Sequence, residues 1–217
     1  MSEVKKQPYQ KPEVSIENAN LAMKTQPGVE TTITNAGDVL QRKTGLRSEK
    51  EMKVLKKLAE AGVSVVTPFE REGEHTLIIL DNGKKITTEF LKYGEQQKKH
   101  TLIELGKLIA KMHNTRITHC DLTPRNITIA KTGNITLNNF RNHEVIDLDI
   151  NDENISIDER KLIIEKYTFD IYDLMINFPF SSDQRRLIID HYLQEINIQN
   201  TELKNYLIEL TNDLMKI

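Results

Sequence analysis

The chain has 217 residues, 38% hydrophobic and 29% charged, and its 30 Lys+Arg against 32 Asp+Glu leave a formal net charge of −2. That suits one globular or two-lobed unit, and it excludes a wholly disordered chain and a general nucleic-acid footprint, so direct nucleic-acid binding by charge is not expected. One cysteine excludes an intrachain disulfide and a cysteine-rich zinc site, nine glycines exclude a glycine-dense phosphate loop, and the absence of an apolar run of roughly 20 residues or of a signal-type leader points to a soluble, cytoplasmic protein without a membrane span.

Residues 1–26 carry Lys5, Lys6 and Lys11 with Pro8 and Pro12 and no sustained apolar period, so they read as an N-terminal arm. From Gly28 the texture changes. Short β-prone runs at 30–34 and 38–42 flank Asn35-Ala36-Gly37, a hairpin signal. Residues 48–61 place Met52, Leu55, Leu58 and Ala59 on one helical face, with Gly62 where a C-terminal cap glycine belongs. Two further strands are expected at 63–67, before Pro68, and at 76–80, before Asp81-Asn82-Gly83. Residues 27–81 thus read as a strand-rich unit around one helix.

Residues 82–217 read differently. Thr101-Leu102-Ile103-Glu104 has the form of a capping box, opening a helix that shares Leu105, Leu108, Ile109 and Met112 on one face and ends near Asn114. Runs at 127–130 and 134–137 flank Lys131-Thr132-Gly133, a second hairpin signal, and 144–150 reads as an apolar strand interrupted by Asp147 and Asp149. Beyond Ile157 the chain reads as helical. The expected class is α+β.

The stretch Ile117-Thr-His-Cys-Asp-Leu-Thr-Pro-Arg-Asn126 lies between a helix and a hairpin. Phosphoryl transfer to a hydroxyl asks little covalent chemistry of a protein; it needs an acceptor for the hydroxyl proton, ligands for the metal that offsets phosphate charge, and rigid positioning. Asp121 and Asn126, five residues apart on one loop, can supply the first two. The pattern H-x-D-L-x-x-x-N is the catalytic-loop signature of kinase-like phosphotransferases. The alternative is a turn in which both side chains only cap backbone groups.

On these residues the chain resembles small, atypical kinase-like phosphotransferases, closest in style to the kinases of the KEOPS complex and to the Kdo lipopolysaccharide kinases. The resemblance spans residues 28–173. It rests on Gly28-Val29-Glu30, on Arg47-Ser-Glu-Lys-Glu51-Met-Lys-Val-Leu55 followed by Ala61-Gly62-Val63, on the loop from His119 to Asn126, and on Val145-Ile-Asp-Leu-Asp149. It implies a two-lobed protein-kinase-like fold, with a β-rich N-lobe at 27–81 and a reduced helical C-lobe at 82–217. ATP and Mg²⁺ are the implied cofactors.

The resemblance also implies roles. Asp121 is the base or substrate-orienting carboxylate, Asn126 a metal ligand, and His119 a brace for the loop. Cys120 stands where protein kinases carry an arginine that reads a phosphorylated activation segment, so activation by that route is not implied. Two positions compete for the second metal ligand. Ordinary spacing points to Asn139, in Asn139-Phe140-Arg141, while the apolar-apolar-Asp pattern of Val145-Ile146-Asp147 points to Asp147, which is favoured because Mg²⁺ prefers carboxylates. Glu51 is the helix glutamate that would hold a nucleotide lysine. Gln41, Arg42 and Lys43 compete for that lysine position, and Lys43 is taken because alternation puts it on the same face as Gln41. Gly28 would lie over the phosphates, the hinge at 80–83 with Asp81 would meet adenine, and Asp170 would anchor the catalytic loop. Asp170 comes only 23 positions after Asp147, too few for a full peptide-docking segment. The expected function is an ATP- and Mg²⁺-dependent atypical serine/threonine kinase that acts on a protein, itself included, or hydrolyses ATP within a complex. The alternatives are a lipopolysaccharide-sugar or small-molecule kinase, and a pseudokinase scaffold.

Overall fold

In the computed structural model, the strands Ala22–Gln26 (β1), Val29–Ile33 (β2), Val39–Thr44 (β3), Thr67–Glu70 (β4) and Thr76–Asp81 (β5) form one antiparallel sheet in the order β1-β2-β3-β5-β4. The structure describes residues 22–26, 29–33, 39–44, 46–70, 76–81, 83–130 and 132–216, with side chains over 49–66, 83–130 and 132–216. The expected first hairpin is β2 and β3, paired from Val29↔Lys43 to Ile33↔Val39; its turn lies outside the described residues. Ala22–Gln26, read as the end of the arm, instead forms β1, because β2 supplies an antiparallel edge that needs no apolar period from its partner. Pro68 sits within β4, opposite Ile79, and β4 is the outer strand of the sheet, where a residue without an N–H is tolerated.

Between β3 and β4 runs Leu46–Glu60 (α1), which buries Met52, Val54, Leu55 and Leu58. It stops at Gly62, whose φ of 76° lies in the left-handed region that lacks a Cβ penalty only for glycine. The N–H groups of Val63 and Gly62 turn back to the carbonyls of Leu58 and Ala59 at 2.9 and 3.0 Å, closing the helix end. The strand expected at 63–67 shrinks to a bridge between Val65 and Leu137. Its hydrogen bonds, Val66 N–H to Leu137 O and Leu137 N–H to Ser64 O, tie the first lobe to the second.

The second lobe contains Lys84–Lys85 (β6), Ile86–Glu89 (α2), Glu95–Asn114 (α3), Ile117–Thr118 (β7), Ile127–Ile129 (β8), Ile135–Leu137 (β9), Glu144–Val145 (β10), Ile157–Asn177 (α4), Ser182–Glu195 (α5) and Thr201–Leu214 (α6). The hairpin β8–β9 pairs with β6, and β10 pairs antiparallel with β7. Helix α3 packs along α5, and α4 along α6. Phe90, Phe178 and Phe180 pack their rings together, with centroids 4.4–6.0 Å apart.

Helix α3 begins six residues before Thr101. Gly94 precedes its first turn, and Gln97 Oε1 accepts from the Gly94 N–H. Thr101, mid-helix, bonds back to the Gln97 carbonyl at 2.8 Å, so its resemblance to a cap is local only. The expected strand at 144–150 is likewise confined to Glu144–Val145, the two residues for which β7 offers partners. Among the described residues no helix is long and apolar enough to cross a membrane.

Candidate active site

The catalytic-loop residues leave β7 and reach the 3-10 turn Pro124–Asn126, where proline at the first position needs no N–H partner. Thr123 N–H donates to the Asp121 carbonyl at 2.8 Å and Asn126 N–H to the Thr123 carbonyl at 2.9 Å, so the backbone is folded tightly between the two candidate groups. The Asn126 side-chain amide donates to the Asp121 carbonyl at 2.7 Å, which locks the two residues into one unit.

The loop is held from below by α4. Asp170, 1% exposed, accepts from the His119 N–H at 2.7 Å and from the Cys120 N–H at 2.8 Å, one on each carboxylate oxygen. His113 Nε2 stands 3.2 Å from the same carboxylate and His113 Nδ1 2.9 Å from the Tyr192 hydroxyl. Burial pushes the Tyr192 phenol well above its ordinary range, so it keeps its proton, and because the Asp170 carboxylate can only accept, Nε2 carries the proton that it receives. Tyr167 stacks on the His113 ring and donates to the His113 carbonyl at 3.0 Å. Asp170 thus has the anchoring place expected of it. His113, Tyr167 and Tyr192 were not singled out from the sequence; the available signal was a histidine on the apolar face of α3.

His119 is fully buried and braces the loop from the other side. Its Nε2 donates to the Asn138 carbonyl at 2.8 Å, and its ring lies 4.5 Å from that of Phe140. Burial lowers its pKa, against the pull of the Asp170, Asp121 and Glu51 charges. Its Nδ1 is buried without a hydrogen-bond partner among the described residues. The Nε2 bond ties the loop to the residue that follows β9. The Cys120 thiol is pushed up by burial and meets Thr118 Oγ1 at 3.3 Å. Arg116, Cys120 and Asn139 have positive φ values of 63°, 56° and 62°, the only non-glycine cases among the described residues, and all three border this loop. Such strain persists where surrounding contacts over-determine the backbone.

The Asp121 carboxylate is 16% exposed, and Arg125 Nη2 donates to its two oxygens at 3.0 and 3.1 Å. Arg125 is itself 72% exposed, so this ion pair is solvent-screened and readily displaced by an incoming group. One turn beyond Asp170, Asp173 is half-buried, and its carboxyl is held above the usual range by burial and then by the negative charges of Asp170 and Asp121. The folded state therefore binds its proton more tightly than the unfolded state. The stability it contributes is present below its unfolded pKa of about 3.9 and is lost as pH rises through the folded value. Asp173→Asn is expected to raise the melting temperature at pH 7, with the gain shrinking as the pH is lowered to 4; an equal gain at both pH values would contradict this origin.

Of the other expected site residues, Glu51 is 1% exposed on α1, which packs against the 3-10 turn Phe140–Asn142. Lys43 lies in β3 opposite Val29 and Leu77, and Asp81 ends β5 opposite Val39; their side chains, and Gly28 altogether, lie outside the described residues. The two competitors for the metal position separate clearly. Asn139 follows β9 and its amide donates to Asn126 Oδ1 at 3.2 Å. Asp147 is exposed and follows β10, where Glu144 pairs with Thr118, Val145 with Ile117, and the Ile146 N–H bonds the Arg116 carbonyl. Each of these steps leads away from Asp121 along the antiparallel ladder. The residue that stands beside Asn126 is thus Asn139. Sequence pattern favours Asp147 because its carboxylate suits magnesium, and the pairing of distant strands puts Asn139 in contact with Asn126.

A strand-rich lobe joined to a helical lobe, with an Asp–Asn loop anchored between them by a buried aspartate, is the arrangement of a protein-kinase-like phosphotransferase. Among solved structures, one described as "WaaP in complex with acyl carrier protein" matches with a TM-score of 0.51 at 12% identity, covering 89% of this chain and 88% of that chain, which shows the fold. The family model described as "Lipopolysaccharide kinase (Kdo/WaaP) family" matches residues 38–161, more than half the sequence, and the chain belongs to that family. No curated protein matches it.

The family implies ATP and, with it, magnesium. For the nucleotide, the elements that would meet it are present: β3, the end of β5, buried Glu51 and the loop from Asp121 to Asn126. For the metal, the donor set does not fit. Asn126 Oδ1 already accepts from the Asn139 amide, and Asp121, the carboxylate of the loop, faces Arg125. No group of three or more His, Cys, Asp or Glu side chains among the described residues is placed to hold a metal ion. Neutral amides are poor holders of a small hard cation that prefers carboxylate and phosphate oxygen.

Proposed function

We propose that this protein binds ATP between its lobes and transfers the γ-phosphoryl group to a hydroxyl on a lipopolysaccharide-type sugar. The observation that carries the reading is the loop itself: Asp121 and Asn126 joined by a 2.7 Å hydrogen bond and held from beneath by Asp170. By the family resemblance, Lys43 and Glu51 are assigned to the phosphates, Asp81 to the adenine end and Gly28 to the phosphate side. The acceptor hydroxyl displaces Arg125 from Asp121 and hydrogen-bonds to the carboxylate. As its oxygen bonds to the γ-phosphorus, the bond to the β-phosphate oxygen breaks, ADP leaves, and the hydroxyl proton passes to Asp121. Membership of the lipopolysaccharide kinase family supports a sugar acceptor over a serine or threonine of a protein.

The test is transfer of label from γ-labelled ATP, offered separately to a lipopolysaccharide core saccharide and to a serine/threonine-rich protein. Label on the saccharide is expected, with neither the protein substrate nor the protein itself labelled. Label on the protein alone reverses the acceptor assignment. Asp121→Asn should reduce transfer by about a hundredfold or more while leaving ATP binding in place, the loss expected of a removed general base. Undiminished transfer would remove Asp121 from the mechanism.

A further inference from the structure

We infer that this protein binds nucleotide without a divalent cation held by its own side chains, and that Asn139 is the residue that sets this property. The inference rests on the reading of the site as a nucleotide site. It follows from a chain of donors and acceptors that begins at a backbone carbonyl and so leaves no choice of amide orientation. The Asp121 carbonyl can only accept, so the Asn126 group facing it at 2.7 Å is the NH₂. Asn126 Oδ1 must then face the other way, toward Asn139 at 3.2 Å, and Asn139 must present its own NH₂ to it. Both amides are committed to one another and to the loop. The oxygen of Asn126 that would meet a metal has a neutral amide for its neighbour, with no negative charge beside it to hold a cation.

A carboxylate at position 139 would reverse this. Its oxygens would confront Asn126 Oδ1, acceptor against acceptor, and a cation between them would relieve the repulsion. Asparagine removes both the charge and the need for the cation, and it is also a residue that tolerates the left-handed backbone found there, with φ 62° and ψ 51°. Asp147 does not restore the missing charge, because the β10–β7 ladder carries it away from the loop.

The experiment is calorimetric titration of the full chain with ATP, once in excess Mg²⁺ and once in EDTA, for the native protein, Asn139→Asp and Asn139→Gly. Glycine suits the positive φ and offers no side-chain oxygen, so it remains informative if the aspartate variant folds poorly. The native protein should bind ATP with dissociation constants within about twofold in the two conditions, Asn139→Gly should keep that ratio near one, and Asn139→Asp should bind at least tenfold more tightly with Mg²⁺ than without. Tenfold tightening of the native protein by Mg²⁺ overturns the proposal, whether Asn139→Gly or Asp147→Ala removes it. An Asn139→Asp protein that folds and gains no metal dependence overturns it too. Failure of every variant to bind ATP in both conditions is a different result: it overturns the nucleotide reading and this proposal with it.

Discussion

Asp170→Ala is expected to cost about 3–5 kcal/mol of stability, the range for removing one partner of a buried charged network. The carboxylate is buried, and each of its oxygens holds a backbone N–H of the catalytic loop while His113 Nε2 approaches one of them. Alanine leaves the N–H groups of His119 and Cys120 and the imidazole N–H without acceptors, in a place water reaches poorly. Asp170→Asn keeps the shape but not the pattern. One of its two polar ends becomes NH₂ and must face either the Cys120 N–H or the paired His119 and His113 donors, so it is expected to cost roughly 1–3 kcal/mol, the desolvation penalty of unsatisfied groups. Urea denaturation should show both as shifts in midpoint at constant slope, with alanine the larger. Because this carboxylate holds the N–H of Cys120, a residue at positive φ, both variants should also lose phosphoryl transfer beyond what their folded fraction explains. An Asp170→Ala protein within 1 kcal/mol of the native chain would mean that the loop is held by something other than this carboxylate.

Legibility in the sequence followed the distance over which each feature is determined. Asp121 and Asn126 could be found because one loop supplies both, and their spacing survives any packing. Helix α1 could be found because Met52, Leu55 and Leu58 mark its buried face and Gly62 its end, all within sixteen residues. Strand β1 could not, since Ala22–Gln26 has no pattern of its own and is a strand by virtue of β2. Asn139 and Asp147 make the sharper case. Asp147 has the better chemistry for a metal and the apolar residues before it, but it is Asn139, just beyond the β8–β9 hairpin, that meets Asn126, and Asp147 follows the β10–β7 ladder. The support beneath the loop is less local still. His113 finds Tyr192 from 79 positions away and Asp170 from 57, contacts that depend on how α3 lies against α5 and α4.

That dependence makes Gly106→Ala the other large effect. On intrinsic propensity alone, alanine in the middle of α3 should stabilise the helix by up to about 1 kcal/mol. Packing reverses the sign. A Cβ at this position would lie 2.3 Å from the Ile188 carbonyl oxygen and 3.2 Å from both its carbon and the Tyr192 nitrogen, all backbone atoms of α5. No rotamer change can relieve such contacts, so α5 itself must move, and a net loss of about 3 kcal/mol is expected, at the upper end for overpacking. The displacement also reaches the site, because Tyr192 rides on α5 and its hydroxyl holds the His113 ring that serves Asp170. Tyr192→Phe separates the two effects. It removes the hydrogen bond without moving the helix and should cost about 1 kcal/mol, whereas Gly106→Ala should exceed it in urea denaturation and lower phosphoryl transfer at least as much. A Gly106→Ala protein as stable as the native chain would show that α3 and α5 can separate without cost, and that the close approach at Gly106 does not position the catalytic loop.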